Sequence, residues 1–303
     1  MKYAVLQFGY NGFASFERSF QSRKFYSVNI GDNMQTLAVR NVYDLIGIPR
    51  EDVVPINRDD MASYTGDKAV LVTNGCFYAR SFPFPDNIVP VFIGFQTNEE
   101  TVSAFAAMFK RYEPIGCRDT HTAELMRKYG IKAHTTGCLT LTLPARPAEA
   151  KGDRVYIVHG GGSGSLPTSV LAHMPAALLE GAELVFQRLT VDVFPLGSRQ
   201  MRTAEKVAGS LLNDYRRKAS LVVTPLHHAA SPCIAAGIPV IICRRAFHSR
   251  FSYLQQLLPV YTPERFHEID WQPAPVDVDG LKSDLVQLVA AEVKRAREGI
   301  RAG

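Results

Sequence analysis

Cysteine is scarce and poorly spaced for chemistry of its own. The five residues, Cys76, Cys117, Cys138, Cys233 and Cys243, are odd in number, far apart and without a C-x-x-C pair. That excludes a disulfide framework and a cysteine zinc site, and four of them sit in or beside apolar segments as reduced core thiols. No uncharged apolar run of about 18 residues occurs, which excludes a membrane-spanning helix. Met1-Lys2 leads straight into a strand-like segment rather than a basic, then apolar leader, so the expected location is the cytoplasm. Charge of one sign is not dominant either: 34 Lys and Arg against 29 Asp and Glu leave +5 without a long basic block. Nucleic acid is therefore not an expected partner, whereas small anionic substrates or an anionic membrane surface suit the mild excess. Repeats of fixed period and low-complexity tracts are absent.

What is present is ordinary globular material. At roughly 150 residues per domain, 303 residues suggest about two domains, and 46% hydrophobic residues provide a large core. Strand-like Tyr3 to Phe8 precedes a helical stripe of Met34, Leu37, Ala38, Val42, Leu45 and Ile46. Strands are predicted at 69–73, 89–95, 114–118 and 131–135, with helices at 99–111 and 120–129, the last ended by Gly130. Residues 144–153 (PARPAEAKGD) read as a linker. Beyond it come strand 155–158, a glycine-rich turn, a helix near 167–179, strand 183–188, helix 202–217, strand 221–224, helix 228–236 and strand 239–243. The stripe Leu281, Leu285, Leu288, Val289, Val293 and Ala296 marks a final helix over 281–298 that packs on the domains. Strand and helix alternation of this kind predicts two doubly wound parallel-sheet α/β domains, 1–146 and 153–303, with a cleft between them at the carboxyl ends of the strands.

Four strand-to-helix junctions carry candidate chemistry. In N-I-G-D-N-M-Q (29–35), Asp32 or Asn33 can cap the helix, or Asp32 can bind or deprotonate a sugar hydroxyl. In H-G-G-G-S-G-S (159–165), backbone amides of Gly160, Gly161 and Gly162 can converge on an anion. No lysine follows, so a nucleoside triphosphatase is not expected, and a plain interdomain loop is the competing reading. In T-P-L-H-H-A-A-S-P-C-I-A-A-G-I-P-V (224–240), His227 and His228 open a small-residue helix whose N-terminus favours anions and lowers an imidazole pKa. One of the two is expected to be functional. In G-C-R-D (116–119), Arg118 offers a guanidinium fork for carboxylate or phosphate and Asp119 suits a cap, while Arg244 and Arg245 place more cations near the same edge. Residues 11–28 interleave Phe13, Phe16, Phe20, Phe25 and Tyr26 with Arg18, Arg23 and Lys24. This segment is expected as a loop that packs its aromatics on the domain, covers the acceptor or touches a membrane.

Together, N-I-G-D-N-M-Q-T-L (29–37), G-C-R-D-T-H-T-A-E-L-M-R-K-Y-G-I (116–131) and V-T-P-L-H-H-A-A-S-P-C-I-A-A-G-I-P-V-I (223–241) resemble the polysaccharide pyruvyl transferase family. The resemblance implies a fold similar to two-domain GT-B glycosyltransferases, with an N-terminal acceptor side and a C-terminal donor side. It also implies transfer of the enolpyruvyl unit of phosphoenolpyruvate to a sugar of a cell-surface polysaccharide or its lipid-linked precursor, as a pyruvate ketal. By resemblance His227 matches the family histidine; the residues' own chemistry suits it as general acid and Asp32 to orient or activate the hydroxyl. Arg118, Arg244, Arg245, His228 and the glycines 160–162 hold the donor, and Asn33 and Gln35 the acceptor. No cofactor or metal is implied beyond phosphoenolpyruvate as co-substrate, and contact with the inner face of the membrane is compatible with a lipid-linked acceptor. Pro225 stands where the family pattern has arginine, which leaves two other readings in view: a nucleotide-sugar glycosyltransferase and a noncatalytic saccharide-binding relative.

Overall fold

The computed structural model describes residues 1–150, 152–162 and 164–299. Lys151 of the expected linker, Ser163 of the glycine run and residues 300–303 at the end of the expected second domain lie outside the described residues.

Apolar runs such as Ala69–Val72 and Val240–Cys243 are buried along their whole length, which requires cover on both faces and suits a parallel sheet. Four parallel strands, in the order Val53–Asn57, Lys2–Gln7, Ala69–Val72 and Ile88–Val91, form the first sheet. The chain then turns at two places and contributes Gly75–Cys76 and Phe95–Gln96 to a second parallel sheet, completed by Ile115–Cys117 and Ala133–Thr135. A third sheet, also parallel, runs Ala182–Phe186, Arg154–His159, Ala219–Thr224, Val240–Cys243 and Val260–Tyr261. Tyr26–Asn29 and Arg188–Val191 pair antiparallel, joining the two halves of the chain. The architecture is thus mixed α/β on parallel sheets, as the alternation predicts, but the first half holds two of them where one is expected, because the chain steps from one sheet to the other after Ala69–Val72 and after Ile88–Val91.

The core crosses the same junction. Val5, Met34 and Val42 from the first half pack in one apolar cluster with Tyr156, Ile234 and Ile242 from the second. The final helix, Asp279–Glu298, adds Leu285, Val289 and Val293 to that cluster, each burial contributing about 1.5–3 kcal/mol. A second cluster is rich in phenylalanine, with Phe77, Phe82, Phe92, Phe95 and Phe109 in mutual ring contact.

Three local expectations change. Residues 11–28 are not a loop: Ala14–Arg23 is a helix and Tyr26–Asn29 a strand. Phe16 and Phe20 fall on one helical face and Phe13 just precedes the helix; their rings meet Tyr26, Phe194 and Tyr78 in turn. The aromatics are packed on the body of the protein, leaving Phe25 exposed. The helix expected near 167–179 is broken into a 3₁₀ turn, Thr168–His173, and a short helix, Ala176–Glu180, because Pro175 cannot continue a helix and holds Met174 extended. The strand expected over 89–95 divides at Gly94, whose φ of +70° makes the turn into the second sheet.

Candidate functional site

Three helices point their N-termini at the junction between the halves: Gly31–Leu45, Thr120–Lys128 and His227–Ala235. Each follows a strand, so each brings the residues at a strand end and the positive end of its own dipole to one place. There a cleft of about 300 Å³ is lined by Tyr10, Asp32, Arg58 and Arg118 from the first half and by Gln187, His227, His228, Arg244 and Arg250 from the second. The first and third of these helices abut directly. A Cβ on Gly31 would lie 3.0 Å from the Cβ of His228 and 3.1 Å from Gln187 Nε2, so glycine is what lets the two helix starts approach.

His227 is buried, and its Nδ1 has no hydrogen-bond partner among the described residues. Burial, then the neighbouring His228, Arg118, Arg250 and Arg244, hold its imidazole well below the usual histidine range, so it is neutral in the free protein. His228 is likewise depressed by burial, Arg118 and Arg250. Its ring lies 4.9 Å from that of His227, and its Nε2 lies 3.8 Å from Cys138 Sγ. The backbone carbonyl of His228 accepts from Gln187 Nε2 at 3.3 Å, and Gln187 Oε1 accepts from the Tyr215 hydroxyl at 3.3 Å.

Arg118 is buried at the end of its strand, donates from Nη1 to Gln35 Oε1 at 3.2 Å, and leaves Nε without a partner. Asp119 caps the following helix, its carboxylate accepting the Thr122 N–H at 2.9 Å. Arg244 donates to the Pro225 carbonyl and lies over the Phe251 ring at 4.5 Å. The cleft therefore brings together the buried Arg118 guanidinium, the half-buried Arg244 and the unpartnered Nδ1 of His227, groups chemically able to receive an anion.

Asp32 does not cap its helix. That helix starts at Gly31, whose N–H is taken by Asn29 Oδ1 at 3.0 Å. Asp32 instead faces the cleft, accepting from the Tyr10 hydroxyl at 3.1 Å and from Asn29 Nδ2 at 3.2 Å. Burial pushes its carboxyl above the usual range, while Arg58, the Tyr10 hydrogen bond and Arg118 pull it back.

The remaining sequence-predicted residues lie elsewhere. Asn33 and Gln35 are buried behind the cleft wall, and Gln35 reaches the site through its bond to Arg118. Arg245 is exposed and does not line the cleft. Gly160, Gly161 and Gly162 form a turn closed on itself: Gly160 N–H donates to Gly164 O at 2.9 Å and Gly164 N–H to Gly161 O at 3.0 Å. Gly164, not those three, touches the cleft.

Sequence reading missed Tyr10, Arg58, Gln187 and Arg250. Arg58 follows the Val53–Asn57 strand, is buried beside Asp59 with Nη2 2.8 Å from Oδ1, and stacks over the rings of Phe8 and Tyr78 at 4.8 and 5.4 Å. Its place at a strand end is the one local signal that marks it. Among the described residues, no group of three or more His, Cys, Asp or Glu is disposed to hold a metal ion, and no helix is long and apolar enough to cross a membrane.

In overall structure the chain is similar to a functionally uncharacterized protein from Klebsiella pneumoniae, at 11% identity and a TM-score of 0.41 over 83% of this chain and 88% of that one. It is also similar to a chain of the accessory secretory protein 1, 2 and 3 structure from Streptococcus pneumoniae, at 12% identity and a TM-score of 0.37 over 78% of this chain and 52% of that one. No curated protein matches it. The family model for polysaccharide pyruvyl transferase matches residues 29–189, from the turn that carries Asp32 through the strand pair that joins the halves, and on that match over more than half its length the chain belongs to the polysaccharide pyruvyl transferase family.

Proposed function

We propose that the protein transfers the pyruvyl group of phosphoenolpyruvate to a saccharide and releases phosphate, forming a ketal across two sugar hydroxyls. The observation that carries this reading is the meeting of His227, Arg118 and Asp32 in one cleft between the halves. Phosphoenolpyruvate presents a carboxylate and a phosphate on a small frame. Arg118, Arg244 and the start of the His227–Ala235 helix supply the donors that such a ligand needs. Pro225 offers no charge of its own, but its carbonyl anchors Arg244, which brings a guanidinium to that place. In this reading the acceptor lies on the Asp32 side of the cleft and the donor on the His227 side, with Arg118 reaching the donor from the first half.

The chemistry follows from the charges. An arriving trianion raises the depressed pKa of His227, so the imidazole takes up a proton as the donor binds. His227 gives that proton to the methylene carbon, which becomes a methyl group and leaves C2 electrophilic. A sugar hydroxyl attacks C2 and loses its proton to Asp32. The C2–O bond to phosphate breaks, with the electron pair leaving on phosphate and the Asp32 proton following it. The second hydroxyl then closes the ring and returns its proton to His227, which restores the site.

The acceptor enters from the side of Tyr10, Phe13 and Phe16, where the aromatic wall of the cleft suits a sugar ring. A lipid-linked precursor is compatible with this side, because the Ala14–Arg23 helix keeps Arg18, Arg23 and Lys24 exposed toward an anionic surface. The glycine turn spends the amides of Gly160 and Gly164 internally, which weighs against a nucleotide-sugar diphosphate there. Thermal-shift titration tests the donor: phosphoenolpyruvate raises the melting temperature and uridine or guanosine diphosphate sugars do not, whereas the reverse pattern rejects the reading.

A further inference from the structure

Tyr10 is one of two non-glycine residues with positive φ among the described residues, at +58°. A left-handed tyrosine is strained and persists only where surrounding contacts impose it. Here those contacts are identifiable. The N–H of Tyr10 donates to Asp59 Oδ2 at 2.8 Å, and the other oxygen of Asp59 accepts from Arg58 Nε at 2.9 Å. Arg58 is tied in turn to the carbonyl of Cys76 at 3.1 Å. The Tyr10 ring is wedged against Phe16 at 5.2 Å, which leaves its hydroxyl 3.1 Å from both Asp32 Oδ2 and the Asn29 carbonyl.

We propose that Tyr10 is a positioning residue for Asp32: held left-handed by the Arg58–Asp59 ion pair, it aims its hydroxyl at the Asp32 carboxylate and fixes that carboxylate toward the acceptor side of the cleft. A buried ion pair contributes little net stability to a core, so what this one does is hold neighbouring groups in place: Asp59 takes the Tyr10 N–H while Arg58 fixes Asp59. The assignment of this network to catalysis rests on the reading of Asp32 as the group that orients the sugar hydroxyl. Burial and Asp32 itself keep the Tyr10 proton on its oxygen well above the usual tyrosine range, so the hydroxyl is a donor throughout the working pH range. The charged and titratable groups that act on Asp32 are Arg58, Asp59, Tyr10 and Arg118, and its charge is felt in turn by Tyr78 and Arg188.

Tyr10→Phe keeps the ring and the backbone and removes only the hydroxyl. Losing one hydrogen bond to the ionised form moves the Asp32 titration midpoint up by about one pH unit. Carbon-13 NMR of the Asp32 carboxyl in the unliganded wild-type and Tyr10→Phe proteins reads this without reference to turnover. The acid limb of kcat/KM moves upward by the same amount and kcat falls about tenfold, while the KM for phosphoenolpyruvate stays within twofold. A midpoint unmoved by the substitution overturns the proposal. So does a midpoint that moves while kcat and the acid limb of an active enzyme stay fixed. A moved midpoint in a protein that never releases phosphate from phosphoenolpyruvate upholds the Tyr10–Asp32 link and overturns the reading of the reaction instead.

Discussion

Gly31 and His228 approach so closely that a Cβ on the glycine would stand 3.0 Å from the Cβ of the histidine. This contact seats the start of one helix from the first half against the start of one from the second. Gly31→Ala therefore overpacks the junction, at a cost of about 1–3 kcal/mol. Urea denaturation of the variant, with phosphoenolpyruvate affinity measured alongside, checks it. Wild-type stability together with wild-type affinity would show that the junction has slack.

His227→Ala leaves the fold intact and lowers turnover by about 10²–10⁴, the contribution of a positioned general acid. The measurement is phosphate release at saturating donor, with circular dichroism to verify folding. Activity close to wild type would remove the proton-donor role from His227.

Arg118→Ala raises the dissociation constant for phosphoenolpyruvate by at least tenfold, because a charge-assisted contact to an anion is worth about 1.5–3 kcal/mol. Calorimetric titration reads this directly. Because Gln35 holds the Arg118 fork at Nη1, Gln35→Ala weakens donor binding in the same direction by a smaller factor. An unaltered donor affinity in Arg118→Ala would take Arg118 out of the donor site.

The two depressed histidines predict how stability depends on pH. Folded His227 and His228 stay neutral where the unfolded chain begins to take up protons, below about pH 6.5. The unfolded state then binds more protons, so stability falls as pH drops below that value, by up to about 1.4 kcal/mol per histidine per pH unit. Denaturation at pH 7.5, 6.5 and 5.5, compared with a His227→Asn, His228→Asn variant, isolates their share. An equal slope in both proteins would contradict the assignment. Donor binding at pH 7 should also take up about one proton, seen as a binding enthalpy that varies with buffer ionisation enthalpy.

Much of this was legible in the chain, and the rest has physical reasons for being hidden. Strand-to-helix junctions announce themselves by apolar runs followed by small or capping residues, which is why Asp119, His227 and Arg118 could be located from sequence. Arg58 and Tyr10 gave no such sign, because their roles arise from an ion pair, a left-handed backbone and a hydroxyl contact that exist only after folding. The helix Ala14–Arg23 is readable in principle, since Phe16 and Phe20 share one helical face, but interleaved charge hides it. The glycine run misled in the opposite direction. Its composition matches an anion cradle, yet Gly160 and Gly164 bond to their own turn. Composition shows which conformations a backbone can adopt, and not which partner its amides will find.

The most direct test of the account is phosphate release from phosphoenolpyruvate in the presence of a panel of saccharide acceptors, followed with the wild-type protein. The account predicts release that depends on the acceptor and matches, mole for mole, the pyruvate appearing on the sugar. No release with any acceptor, alongside consumption of a nucleotide sugar, would contradict it.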